Sequence, residues 1–227
     1  MIPRANITAW RDVAPWADNM QVEQDLVLSR ALVAMFERQD VAEGAALRGG
    51  TALHKLFFDL PGRYSEDIDL VQRRAGPIGD LVNSIRAALD PRLGEPNWKQ
   101  GHGRFTLIYR FDTTFEPVTR MRLKVEINTR EHFDVLGIET PRYQVENPWF
   151  TGATELTTYD LHELLGTKLR ALYQRKKGRD LFDLWYAASE REIDCERVVR
   201  CFDEYVKFGG STITRAQFEK NMAAKME

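Results

Sequence analysis

The sequence lacks most of what would place it outside the ordinary soluble class. It has two cysteines, Cys195 and Cys201, six apart in a helical-looking stretch, a poor basis for a disulfide framework. No apolar run approaches the roughly 18 residues of a membrane span. The opening MIPRANITAWRDVAPWADNM has neither the apolar core nor the small-residue cleavage site of a signal peptide, so a cytoplasmic protein is expected. An excess of one charge is also missing. Against 34 acids stand 32 lysines and arginines, a net charge of −2, which argues against a uniformly basic nucleic-acid coat. There is no internal repeat and no low-complexity segment. What remains is an ordinary globular mixture, 43% hydrophobic and 29% charged over 227 residues, enough for one large domain or two small ones.

Near-neutrality holds only as an average. Residues 168–179, KLRALYQRKKGR, carry six bases and no acid, whereas Glu66, Asp67 and Asp69 crowd into four positions. The question is whether these opposed clusters serve one site.

Hydrophobic spacing gives the organisation. Residues 1–19 show no period and read as an irregular lead-in. Val22, Leu26, Val33 and Phe36 mark an amphipathic helix over 21–38. A short apolar approach at 45–47 leads into Arg48-Gly49-Gly50-Thr51, and 52–58 resumes as a helix. A short strand is expected at 68–71, an amphipathic helix at 79–90, and a Gly- and Pro-bearing loop at 91–103. Two segments alternate cleanly, 104–111 and 121–128. In the second, Met121, Leu123, Val125 and Ile127 share one face, while Arg122, Lys124, Glu126 and Asn128 share the other. Glu126 is the lone carboxylate of that polar face. From about Thr151 the pattern reads as helical to the end, with Thr157 and Asp160 as cap and first-turn acid. Asp194 caps a later helix, and Thr214-x-x-Gln217 suits a capping box. The reading is an α+β part over 1–150 followed by a helical part over 151–227.

Three features carry chemistry. On an extended segment Asp67 and Asp69 point the same way, and adjacent carboxylates are tolerated best when a divalent cation such as Mg²⁺ bridges them. A solvated acidic strand end is the bland alternative. Gly49-Gly50-Thr51, a glycine turn opening a helix, offers backbone N–H groups to phosphate oxygens, or is a plain turn. Together they place a phosphate cradle and a metal site on neighbouring elements, as nucleotidyl transfer requires. Glu126 would complete the metal shell or else lie on the surface. Lys168 falls in phase with Leu161, Leu164, Leu165 and Leu172, so it either snorkels outward or points at an anionic partner. Asp180 and Asp183 would fix basic side chains or serve the chemistry; otherwise Asp180 caps its helix and Asp183 is solvated.

Four segments in order, LRGGTALHKLF (47–57), RYSEDIDLV (63–71), LKVEIN (123–128) and KLRALYQRKKGRDLFDLW (168–185), resemble the successive motifs of the AbiEii/AbiGii toxin family. These are nucleotidyltransferases of the DNA polymerase β superfamily, usually encoded as type IV toxins beside an antitoxin. The related MenT group transfers nucleotides to the 3′ acceptor end of tRNA. The resemblance implies a nucleotidyltransferase fold, a mixed sheet flanked by helices, followed by a C-terminal helical bundle. It implies that Gly49 and Gly50, with Thr51, bind nucleotide phosphates. Ser65, Asp67 and Asp69 match the Ser-Glu-Asp-Ile-Asp metal motif. Lys168 matches the lysine expected on the NTP phosphates, and Asp180 the acid of the Arg-Asp-x-x-Asp motif, both brought to the cleft by the helical part. Mg²⁺ on Asp67 and Asp69 would then support an in-line displacement by an RNA 3′-hydroxyl, with Arg170, Arg175, Lys176, Lys177 and Arg179 as candidate contacts for the RNA backbone. Two departures stand out: the superfamily's usual Gly-Ser is Gly-Gly here, and 16 residues separate Gly50 from Asp67. The alternatives are transfer to a protein hydroxyl and a non-catalytic nucleotide- or RNA-binding module.

Overall fold

In the computed structural model, which describes residues 2–226, the chain begins with α1 (Arg4–Ala9), a 3₁₀ turn (Trp10–Asp12), α2 (Asn19–Phe36) and α3 (Gln39–Gly44). There follow β1 (Ala45–Arg48), α4 (Gly49–Leu56), β2 (Asp67–Gln72), α5 (Gly79–Leu93), β3 (Asn97–Gly101), β4 (Arg104–Asp112) and β5 (Arg120–Asn128). Then come β6 (Ile138–Glu139), β7 (Arg142–Asn147), β8 (Phe150–Glu155) and β9 (Thr158–Tyr159). The helices α6 (Leu161–Gln174), α7 (Gly178–Glu190), α8 (Cys195–Phe208) and α9 (Arg215–Met226) close the chain. Two compact units result. One comprises the residues up to Phe133 with Ile138–Thr158; the other comprises Asp134–Gly137 and the residues from Tyr159 onward. Among the described residues no helix is long and apolar enough to cross a membrane.

The first unit is built on a mixed seven-stranded sheet of order β3-β4-β5-β2-β1-β9-β6. Its middle is strand β2, antiparallel to β1 and parallel to β5. The alternation in β4 and β5 has its expected result. Phe105, Leu107 and Tyr109 of β4, and Leu123, Val125 and Ile127 of β5, are buried on one face, leaving Lys124 and Glu126 on the other. Helix α2 differs from the amphipathic reading, being buried on almost every side, Glu23, Gln24 and Asp25 included. These polar groups are satisfied at that depth. Glu23 accepts from the Thr114 N–H and hydroxyl, and Gln24 Nε2 donates to the Arg122 carbonyl at 2.9 Å. Asp25 accepts from Trp10 Nε1 and Lys55 Nζ, each at 2.9 Å.

Several expected boundaries are corrected. The lead-in holds α1 and the 3₁₀ turn, with Ile7 and Trp10 in the core. The loop expected at 91–103 contains the end of α5, which runs through Pro91, and the exposed edge strand β3. Helix was expected from Thr151, yet β7 and β8 pair there in a separate two-stranded sheet. Thr157 is not a cap; its hydroxyl donates to the Ala42 carbonyl.

The second unit is helical. Asp160 caps α6 by accepting from His162 N–H at 2.7 Å, and Asp194 caps α8 by accepting from the Glu196 and Arg197 N–H groups. The Thr214–Gln217 capping box forms ahead of α9. Gly166 lets α6 lie close on α8, since a Cβ there would press on Cys201 and on the backbone of Val198 and Phe202. Fully buried Glu163 ties the loop at Asp134–Gly137 to α6 and α8. Its carboxylate accepts from the Val135 and Leu136 N–H groups and from Tyr205 Oη, at 2.8–3.0 Å. Burial pushes its pKa up, and those donors pull it back. Glu163→Gln turns an amide NH₂ toward donors, so its urea unfolding free energy is expected to fall by about 1–3 kcal/mol.

Candidate active site

The site in the first unit is assembled by the register of three strands. The run Asp67-Ile68-Asp69-Leu70 alternates, with Ile68 and Leu70 buried in the core and the two aspartates on the opposite face. Parallel pairing sets Asp67 beside Lys124 and Asp69 beside Glu126. Antiparallel pairing sets Arg48 beside Asp69 on the other flank. Three carboxylates therefore share one polar face with Lys124 and Arg48. A small cleft of about 40 Å³ opens there, lined by Arg48, Asp69, Arg104, Glu126 and Asn128 among others.

The glycines close the site from the side. Helix α4 starts at Gly49, immediately after β1. Gly49 has φ 82°, a left-handed conformation that favours glycine, and a Cβ there would run into the Asp69 carboxylate. Gly50 is bare for a different reason. The Arg63 guanidinium and Ser65 Oγ crowd the place where its Cβ would stand. Thr51 is fully buried; its hydroxyl donates to the Asp67 carbonyl at 2.5 Å and lies 2.9 Å from Ser65 Oγ. Its visible role is to tie the first turn of α4 to β2, so that cradle and carboxylates keep a fixed separation. Gly49→Ala is expected to cost about 1–3 kcal/mol in thermal or urea unfolding through backbone strain and contact with Asp69. It is also expected to slow nucleotide transfer about a hundredfold through displacement of that carboxylate.

The electrostatics suit a cation. Burial pushes the Asp69 carboxyl above the usual carboxylate range. Arg48 opposes this, Asp67 and Glu126 reinforce it, and Lys124 opposes it again. Glu126 is ion-paired to Lys124 at 3.5 Å and to Arg104 at 3.6 Å. Among the described residues no three His, Cys, Asp or Glu side chains are already set to hold a metal ion. At Asp67 the Lys124 ammonium stands instead, 2.9 Å from Oδ2. The donor set nevertheless fits a hard divalent ion: oxygen ligands only, two carboxylates on one face and a third in register beside them.

The remaining predicted residues lie in the helical unit. Lys168 neither snorkels nor faces solvent. It is buried, 2.8 Å from Asp183 Oδ2 and 3.6 Å from Asp180 Oδ1. Both aspartates are fully buried, so the capping role for Asp180 and the solvated place for Asp183 are set aside. Arg175 grips Asp180 through Nε at 2.6 Å and Nη2 at 2.8 Å. Burial raises the Asp180 pKa, but the Arg175 hydrogen bonds and the charge of Lys168 outweigh it and hold the carboxyl below its usual range. Of the five candidate RNA contacts, two are thus engaged inside the unit: Arg175 on Asp180, and Arg170 over the Tyr205 ring at 4.9 Å. Lys176, Lys177 and Arg179 are exposed at the turn into α7.

Residues 30–227 match the family model described as "Nucleotidyl transferase AbiEii toxin, Type IV TA system". The chain belongs to this family. Among solved structures, the nucleotidyltransferase toxin MenT4 of Mycobacterium tuberculosis H37Rv is similar in fold, with TM-score 0.69 and 22% identity, over 92% of this chain and 71% of that one. JHP933 of Helicobacter pylori is also similar, with TM-score 0.58 and 20% identity, over 84% of this chain and 75% of that one. No curated protein matches. As an AbiEii member the chain is a nucleotidyltransferase toxin of a toxin–antitoxin system, with an NTP as substrate and an antitoxin as partner. The AbiEii fold is the α+β arrangement expected from the motifs, a mixed sheet flanked by helices with further helices at the C-terminal end.

Sequence reasoning placed Lys124 on the polar face but did not count it, or Arg48, Arg63 and Arg104, among the residues of this candidate site. Two were within reach. Arg63 lies in the RYSEDIDLV segment, and Lys124 is two residues before Glu126 on the polar face of β5. Arg48 and Arg104 needed the strand register to bring them in.

Proposed function

We propose that this AbiEii protein transfers a nucleotide from Mg²⁺–NTP to the 3′-hydroxyl of an RNA, with the tRNA acceptor end as the target. The observation that carries the reading is the register of β2 with β5, which sets Asp67, Asp69 and Glu126 on one face, against the left-handed Gly49 at the start of α4. Asp67 and Asp69 would hold Mg²⁺, with Glu126 beside them; the ion, when bound, neutralises charge developing on the phosphates. The chain's own groups do the rest. The N–H groups that open α4 at Gly49 and Gly50 offer donors to phosphate oxygens, and Arg63, packed on Gly50, adds a guanidinium suited to them. Ser65, bonded through Thr51, fixes the loop that leads into the two aspartates.

RNA as acceptor is supported by the family resemblance and by the exposed bases Lys176, Lys177 and Arg179, which suit a phosphate backbone. The deciding experiment is incubation of the purified protein with each labelled NTP, Mg²⁺, total tRNA and cell protein. Label on tRNA supports the reading. Label on a protein band moves the acceptor to a protein hydroxyl, and binding of Mg²⁺–NTP without any transfer reduces the chain to a binding module.

A further inference from the structure

Lys124 and Glu126 are two residues apart on β5, so both project to the face that carries Asp67 and Asp69. The Lys124 ammonium sits 2.9 Å from Asp67 Oδ2 and 3.5 Å from Glu126 Oε2. One cation is thus shared by two carboxylates of a three-carboxylate face. The neighbouring arginines serve Asp69 and Glu126: Arg48 stands in register with Asp69 and also reaches Glu131 at 2.5 Å, and Arg104 reaches Glu126 at 3.6 Å. The Lys124 side chain keeps 26% of its exposure, and its flexible four-carbon stem allows the ammonium to turn into water without disturbing the core.

We propose that Lys124 is a built-in counter-ion that exchanges places with the divalent cation. It holds Asp67 and Glu126 together before the metal arrives, and it leaves the Asp67 oxygen when the metal takes it. This rests on the reading of Asp67 and Asp69 as metal ligands. Without the ammonium, Glu126 and Asp69, in register across adjacent strands roughly 5 Å apart, and Asp67 two residues along β2 would repel one another more strongly, with Arg48 and Arg104 left to offset them. With it, the face is stable in the absence of metal. The consequence is weaker metal binding, because the incoming ion has to displace a positive charge already in contact. Lys124 is therefore a positioning residue that sets the metal concentration at which the site fills.

The test uses the full chain as wild type, Lys124→Met and Lys124→Arg. Mn²⁺ alone is titrated and followed by electron paramagnetic resonance, and melting is recorded in EDTA and in saturating Mn²⁺. Lys124→Met is expected to bind Mn²⁺ about tenfold more tightly, since a unit charge a few ångströms away is gone. It is expected to melt below wild type in EDTA and to recover in Mn²⁺, while Lys124→Arg, which keeps the charge, follows wild type in EDTA. Mn²⁺ binding by Lys124→Met that is unchanged or weaker overturns the proposal. So does a melting deficit of equal size with and without Mn²⁺, which marks a merely structural lysine. Lys124→Gln, also uncharged, carries the same expectations where the methionine chain does not fold. A folded wild type that takes up no Mn²⁺ removes the metal reading itself, a result distinct from a wild type that binds and a Lys124→Met that binds no better.

Discussion

Asp67→Asn is expected to slow nucleotide transfer at least about a thousandfold, the scale of the charge stabilisation a carboxylate-held cation supplies, while leaving the chain folded. The second half of that expectation follows from where Asp67 makes its structural bonds. Its backbone carbonyl accepts from Thr51, and its backbone pairs with β5 beside Lys124; neither involves the carboxylate. The carboxylate itself touches Lys124, and Lys124 retains Glu126 at 3.5 Å when that contact goes. A partly exposed ion pair of this kind, its side chains 26% and 21% accessible, contributes about 1 kcal/mol. Initial rates of labelled-nucleotide incorporation, set beside a melting curve, separate the two effects. Incorporation within tenfold of wild type would remove Asp67 from the proposed metal site.

Lys168→Met presents the opposite case, a large loss of stability. It takes the ammonium away from two fully buried carboxylates, Asp180 and Asp183. Removing one partner of a buried ion pair costs about 3–5 kcal/mol, because the remaining charge stays desolvated. The urea unfolding free energy is expected to fall by that amount, and Lys168→Met/Asp183→Asn should recover part of it. Transfer by Lys168→Met is informative about the NTP phosphates only at temperatures where its near-ultraviolet circular dichroism is native. The same cluster has a pH signature. The Asp180 pKa is depressed in the folded chain, so its contribution to stability is fully present above the ordinary carboxylate pKa. It is lost as pH falls through the depressed value. Acid titration of the helical unit should therefore lose stability on the low-pH side, and Asp180→Asn should flatten that limb.

How much of this was legible in the sequence depended on whether the signal was local. The period of β5 exposed Lys124 and Glu126, and the spacing of Asp67 and Asp69 placed both on one face, because strand alternation is a property of a few consecutive residues. The caps at Asp194 and Thr214 were legible for the same reason. Strand β3, NWKQG, is exposed at all five positions, so it has no buried face to leave a pattern. Strand β8, FTGATE, has one large apolar residue, Phe150, and is held by pairing with β7 rather than by its own alternation. Pro91 was read as a stop, yet α5 runs two residues past it, so the helix carries the missing N–H and the crowding of the proline ring on the preceding turn rather than ending there. Lys168 was legible as an anomaly on an apolar face, but its resolution was not. Asp183 lies on the next helix, and only the packing of α6 against α7 brings the two together.

The central place of β2 also bears on when the site comes into being during synthesis. Strands β1 and β2 with α4 form a continuous stretch of chain, whereas β5 follows after α5, β3 and β4. At roughly 5–20 residues per second, a ribosome delivers Lys124 and Glu126 seconds after Asp67 and Asp69. A chain still short of β5 holds two aspartates and a glycine turn but neither the third carboxylate nor the lysine that offsets the three. The parallel pairing at the middle of the sheet thus acts as a delay, withholding a complete site from the nascent toxin until more than half of the chain has been made.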